Sequence, residues 1–317
     1  DRAAYSGSDM DLKQLDYFVH VAELRSFSRA AVVLGIAQSA LSRQVRALEI
    51  ELRETLLLRN GRGVTLTEAG QRLLEHSLAI LQRVGEARAD MASNRDEPVG
   101  RITIGLPPTI GRQLTLPLID GFRRRMPRAR LAVVEGLSTH IVEWITSGRV
   151  DLGLLYNPEA QPGLEFVPLL EEPLCLVQRA DAPAPAGRGP LSMAELADAK
   201  LVLPERAHVI RRLLETRAMH AGLQLDIAWE VSSVAAIIDL VCADYGQAVL
   251  TASAVAASGR ADLLAVRPIL DPGLRSILCR AVSSRQRPTP LLRQATRLLS
   301  DLARGLPQAA AASSLPG

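Results

Sequence analysis

The sequence predicts a multi-domain α/β protein with an N-terminal winged helix-turn-helix, a long linker helix and a C-terminal region of two α/β lobes. Three observations predict it. Between residues 25 and 66, a turn at Gly35 joins two amphipathic helices and is followed by an Asn-Gly hairpin. An apolar seam of nearly three heptads then runs from Leu73 to Met91. From Arg101 onward, short apolar runs alternate with helical ones, which implies a parallel sheet.

The bulk properties allow this architecture. The chain has 317 residues, 48% hydrophobic and 22% charged, room for two or three domains with buried cores. The formal net charge is only +3, so attraction to nucleic acid must come from local patches. Between Met10 and Leu66, eight Lys or Arg face six carboxylates. Lys occurs only at 13 and 200, which leaves the cationic work to Arg, the better bidentate partner for phosphate and guanine. Cys175, Cys242 and Cys279 are far apart in apolar surroundings and read as core residues of a reduced, cytosolic protein. No apolar leader and no uncharged run of membrane-spanning length is found, so neither secretion nor insertion is expected. Residues 1–9 read as an extension ahead of a natural start near Met10.

Taken in order, Leu12–Leu24 carries Leu15, Phe18, Val19 and Ala22 at helical spacing. Ser26 or Ser28 can cap a second helix, which Gly35 ends in a left-handed turn. The third helix, from about Gln38, turns Leu41, Val45, Leu48 and Leu52 to one side. Its other side carries Ser39, Ser42, Arg43 and Arg46, whose hydroxyls and guanidinium forks can bond base edges and phosphates. A polar surface helix would share the pattern. The hairpin around Asn60-Gly61 places Arg59 and Arg62 on a wing suited to phosphates or a minor groove; a plain surface hairpin would look similar. Thr67 can cap the long helix, whose seam serves either a partner helix or its own domain.

The phrases LDYFVHVAELRSFSRAA, AQSALSRQVRALEIEL and RNGRGVTLTEAG together resemble the N-terminal domain of LysR-type transcriptional regulators over residues 11 to 75. The resemblance implies DNA contacts at Gln38, Ser39, Ser42, Arg43 and the wing Arg59. A position matching Ser39 is most often Pro in that family, so this chain departs there. IAQSALS, RGVTLTEAG and the later LLYNP look like the branch containing the nitrogen assimilation control protein. The resemblance extends over the C-terminal region, which in that family is an effector-binding domain similar to periplasmic solute-binding proteins. The expected domains are 10–67 for DNA binding, 68–95 for the linker and dimerisation helix, and 101–305 for effector binding. Lobe I would be about 101–173 and 274–305, and lobe II about 174–273, with 306–317 a disordered tail.

Ligands of open α/β sheets lie beyond the carboxyl ends of the strands, where helix N-termini favour anions. Pro108 and Thr109, Ser138 and Thr139, Ser232 and Ser233, and Pro204 from the opposite lobe are therefore the candidate effector-binding residues. Ser138, Thr139 and Ser233 are equally explained as helix caps. The lining would suit a small carboxylate. No metal or cofactor is expected: His140 and Glu143 lack a third ligand, and neither a nucleophile elbow nor a phosphate loop occurs. Trp144 and Trp229 read as packing residues rather than stacking platforms. The expected function is a homodimeric or homotetrameric, cytoplasmic regulator on double-stranded, pseudo-palindromic operator DNA, with no membrane partner. The rivals are an effector-independent regulator of the same kind, or an α/β enzyme or solute-binding protein.

Overall fold

Capping and turn chemistry set the N-terminal unit. The computed structural model describes residues 10–60, 63–92, 98–182, 190–270, 274–286 and 288–306. The expected extension over 1–9 lies outside them. Helix α1 (Leu12–Leu24) opens on a reciprocal cap: the Asp11 carboxylate accepts from the Gln14 N–H at 2.7 Å, and the Gln14 side chain accepts from the Asp11 N–H at 3.0 Å. Helix α2 (Phe27–Leu34) is capped by Ser26, whose Oγ accepts from the Arg29 N–H at 3.3 Å. Gly35 ends α2 at φ +66°, the left-handed conformation in which a Cβ would be strained. Helix α3 (Gln38–Leu52) then buries Leu41, Val45 and Leu48 against Phe18, Val21, Phe27, Ala30 and Leu56, with Leu52 half-buried at the edge.

Strands β1 (Leu57–Asn60) and β2 (Gly63–Leu66) form an antiparallel hairpin with Asn60 opposite Gly63; its tip, with Arg62, lies outside the described residues. Helix α4 (Glu68–Ala92) is capped by Thr67, whose Oγ1 accepts from the Gly70 N–H at 2.9 Å and donates to the Thr55 carbonyl at 2.6 Å. A Cβ on Gly70 would fall 2.1 Å from the Leu56 carbonyl oxygen, so the wing base meets α4 backbone to backbone. Leu73 and Leu74 pack on the helix-turn-helix core, so the start of the seam serves its own unit. Ile80 further along is exposed, and the Met91 side chain lies outside the described residues.

In the C-terminal unit, β3 (Gly100–Leu106), α5 (Pro108–Arg125), β4 (Ala129–Glu135), α6 (Ser138–Ser147) and β5 (Leu152–Tyr156) alternate strand and helix, and β3 pairs in parallel with β4 and β5. A long strand, β6 (Leu164–Arg179), follows, then α7 (Met193–Ala197), β7 (Leu201–Leu203), α8 (Val209–His220), β8 (Ile227–Glu230), α9 (Val234–Cys242), β9 (Gln247–Thr251), α10 (Ala252–Ala256) and β10 (Leu264–Pro268). Strand β11 (Arg275–Ser283) and helix α11 (Pro290–Arg304) return to the first strand set. The sheet order is β4-β3-β5-β11-β6-β9-β7-β8, with β10 also on β6.

Strand β6 ties the two halves. Leu164–Pro173 pairs with β11, and Leu174–Arg179 pairs with β9 and β10. Sequence alone suggests two strands, 165–170 and 174–178. The structure corrects this to one 16-residue strand. The register shift between Leu278 and Cys279 forms a bulge beside Pro168, where a missing N–H is tolerated. Each half has its own core. Ile102, Ile104, Leu106, Leu114, Leu118 and Leu298 fill one; Leu176, Leu201, Leu203, Leu214, Ile237 and Val249 fill the other. Leu306, expected in a disordered tail, is buried in the first core; 307–317 lie outside the described residues.

Candidate functional site

On α3, Gln38, Ser39, Arg43 and Arg46 are exposed and Ser42 is half-buried. The balanced charge count hides how the acids are used. Both carboxylates of α3 are tied to backbone: Glu49 accepts from the Leu56 and Leu57 N–H groups at 2.9 and 3.2 Å, and Glu51 from the Met10 N–H at 2.7 Å. The guanidiniums of Arg43 and Arg46 therefore share their helix with no free carboxylate. Ala37 precedes α3 without a side-chain cap, which leaves the first N–H groups open to an anion. Arg59 is exposed but leans back onto its own domain. Its Nη2 donates to Ser42 Oγ at 2.7 Å, and its guanidinium carbon sits 4.4 Å from the centre of the Phe27 ring.

The second site is a cavity of about 540 Å³ in the C-terminal unit. Pro108, Thr109, Ser138, Thr139, Ser232 and Ser233 all line it. Pro204 is not in the lining; it is buried, and its carbonyl accepts from Arg211 Nη1 at 3.2 Å. The sequence suggests helices from Arg112 and His140; they begin earlier, α5 at Pro108 and α6 at Ser138, so these residues form first turns. Pro at the first helical position needs no N–H partner and has φ already suited. Ser233 both caps α9, accepting from the Ala236 N–H at 3.4 Å, and faces the cavity. Ser138 is no cap: its Oγ accepts from the Tyr156 N–H at 3.0 Å.

Sequence reasoning missed Arg112, Arg212, Arg260, Tyr156 and His208, which also line the cavity. A signal for two of them exists. Arg112 follows Pro108 by four, and Arg212 follows His208 by four, so each shares a helix face with a cavity residue. The Tyr156 phenol lies beside Thr109, and burial holds its pKa above the ordinary value. His208 caps α8, its Nδ1 accepting from the Ile210 N–H at 3.3 Å. Burial, with the Arg212 charge adding to it, pushes the His208 pKa down to about 4, so the ring is neutral at pH 7. Asp239 pairs with Arg260 at 3.0 Å. Among the described residues, Arg112 and Arg212 have no carboxylate partner, so the lining keeps an excess of positive charge.

A winged helix-turn-helix with a cationic recognition helix, coupled in one chain to a two-core α/β unit with an anion-suited cavity, defines a ligand-responsive DNA-binding regulator. Residues 12–71 match the family described as bacterial regulatory helix-turn-helix protein, lysR family, and residues 95–304 match the LysR substrate binding domain. The chain belongs to the LysR family of bacterial transcriptional regulators. It is 32% identical over 246 residues to the nitrogen assimilation regulatory protein nac of Klebsiella aerogenes, covering 77% of this chain and 79% of that one. It is 30% identical to the regulator BbuR of Bordetella bronchiseptica, covering 92% and 88%. It is 31% identical to the DNA-binding transcriptional dual regulator OxyR of Escherichia coli, covering 83% and 86%. Among solved structures, a full-length OxyR from Pseudomonas aeruginosa matches with a TM-score of 0.72 at 24% identity, over 95% of this chain and 96% of that one. CbnR, a LysR family regulator, matches with a TM-score of 0.67 at 25% identity, over 93% and 99%. Among the described residues, no helix is long and apolar enough to cross a membrane.

Proposed function

We propose that this regulator reads a pseudo-palindromic operator through Gln38, Ser39, Ser42, Arg43 and Arg46, with Arg62 of the wing tip adding a backbone or minor-groove contact. It works as a homodimer or homotetramer in the cytoplasm, on nucleoid DNA, and carries out no catalysis. Twofold symmetry of the protein matches twofold symmetry of the DNA. A small organic carboxylate in the C-terminal cavity controls it. Lobe I, 101–173 and 274–305, brings Thr109, Arg112, Ser138 and Thr139; lobe II, 174–273, brings Arg212, Ser232 and Ser233. The observation that carries this reading is a guanidinium without a carboxylate partner from each lobe, Arg112 and Arg212, facing one cavity. An anion between them binds the closed arrangement better than the open one. Only such a difference in affinity can shift the population of arrangements and so change the grip on DNA.

The test is a footprint on the protein's own promoter region, with and without a panel of small mono- and dicarboxylates, for wild type and Arg112→Ala. The expected result is a carboxylate-dependent change in the protected length that Arg112→Ala abolishes while basal protection persists. A footprint indifferent to every carboxylate would instead establish effector-independent control.

A further inference from the structure

We propose that Arg59 sets the base preference of Ser42, by occupying the Ser42 oxygen and leaving its proton for the groove. The inference rests on the reading that the exposed face of α3 lies against base edges.

Strand alternation puts Leu57 and Arg59 on one face of β1, where Leu57 is buried and Arg59 lies on Phe27; Leu58 points away and is exposed. The guanidinium is thus fixed from two sides. It stacks on a ring that is itself part of the domain core, and it donates to Ser42 Oγ at 2.7 Å. A serine hydroxyl has one proton and two lone pairs. Inside a helix it commonly spends the proton on the carbonyl four residues earlier. Thr146 does so, donating to the Val142 carbonyl at 2.8 Å. Ser42 makes no such bond among the described residues. Its oxygen already accepts from a cation, and among the described residues no acceptor takes its proton.

The consequence is a polarity. A base N–H approaching Ser42 Oγ would have to come in beside the Arg59 guanidinium. A base acceptor meets a free O–H whose acidity the cation increases. Guanine O6 and N7, adenine N7 and thymine O4 are therefore favoured over the cytosine amino group. Without Arg59 the hydroxyl could serve as donor or acceptor, and the preference would relax. Arg59 is on this account a positioning residue, working through Ser42.

The experiment is selection of bound duplexes from a randomised pool by the full chain, comparing wild type, Ser42→Ala, Arg59→Met and the double variant, with folding checked by circular dichroism. Discrimination against cytosine at one position per half-site is expected to fall about five- to tenfold in both single variants, the worth of one hydrogen bond. The double variant should lose no more than either single one, because the two side chains act as a unit. Loss in Ser42→Ala but not in Arg59→Met would overturn the inference while leaving Ser42 as a base contact. No change in Ser42→Ala would overturn the base contact itself, and the inference with it. A uniform loss in Arg59→Met over all sequences, with a shallower salt dependence, would assign Arg59 to phosphate. Where the selected base is guanine, replacing it on unmodified protein by its 7-deaza form or by 6-thioguanine supplies a second readout. Weakened binding to one of the two supports the free proton, and indifference to both overturns it.

Discussion

The pH behaviour of His208 gives the most quantitative expectation. The ring is half-buried and caps α8 through Nδ1, and its pKa is pushed down to about 4 from the ordinary 6.5. A base whose folded pKa is depressed contributes stability that is present above its unfolded pKa and lost as pH falls towards the folded one. For one proton, the unfolded chain gains about 1.4 kcal/mol over the folded one by pH 5.5 and about 2.6 kcal/mol by pH 4.5. At pH 5.5 the figure depends almost wholly on the ordinary imidazole value. Asn at 208 keeps an oxygen that can cap α8 and does not titrate. The stability of wild type minus that of His208→Asn should therefore fall by about 1.4 kcal/mol between pH 7.5 and 5.5. Urea unfolding followed by tryptophan fluorescence isolates the effect. The chain has two Trp, Trp144 on α6 and Trp229 on β8, so the signal reports the C-terminal unit. A difference that stays constant with pH would refute the assignment of a neutral, desolvated ring.

Further outcomes follow from burial. Leu48 is fully buried in the small helix-turn-helix core, so Leu48→Ala should cost about 2–5 kcal/mol and abolish operator binding by unfolding the N-terminal unit; a native-like far-ultraviolet circular dichroism melt would contradict this. Burial pushes the Cys175 thiol up to about 11 and raises Cys279 as well. At pH 7 the Cys175 thiolate is then on the order of one part in ten thousand, and the thiolate is the reactive form. Hydrogen peroxide at sub-millimolar concentration should leave operator binding unchanged. A peroxide-dependent footprint would show that a reactive thiol had been overlooked.

What could be read from the sequence was local. Gly35 and the Leu41, Val45, Leu48 stripe fix the helix-turn-helix through interactions a few residues apart, and the hairpin around Asn60-Gly61 is equally local. Strand β6 could not be read whole, because its continuity depends on pairing with β11, about a hundred residues later, and on a bulge that accommodates Pro168. The cavity was legible through its helix N-termini. Its cations were not, since the sequence reads helices from Arg112 and Arg206 where α5 and α8 begin at Pro108 and Val209, and this disguised the facing of Arg112 and Arg212. Arg59 was recognised as a wing cation, but its direction is set by Phe27, thirty-two positions earlier on α2, and no spacing rule reaches that far.

The central claim is that the exposed side of α3 reads duplex sequence, and a competition titration tests it most directly. Wild type and Arg43→Ala are each titrated with a promoter duplex and with its scrambled counterpart at moderate salt. Wild type should prefer the promoter, and Arg43→Ala should lose about 1–3 kcal/mol of binding to it while its affinity for the scrambled duplex holds. Wild-type protein that does not distinguish the two duplexes, or an Arg43→Ala loss equal on both, would contradict the claim.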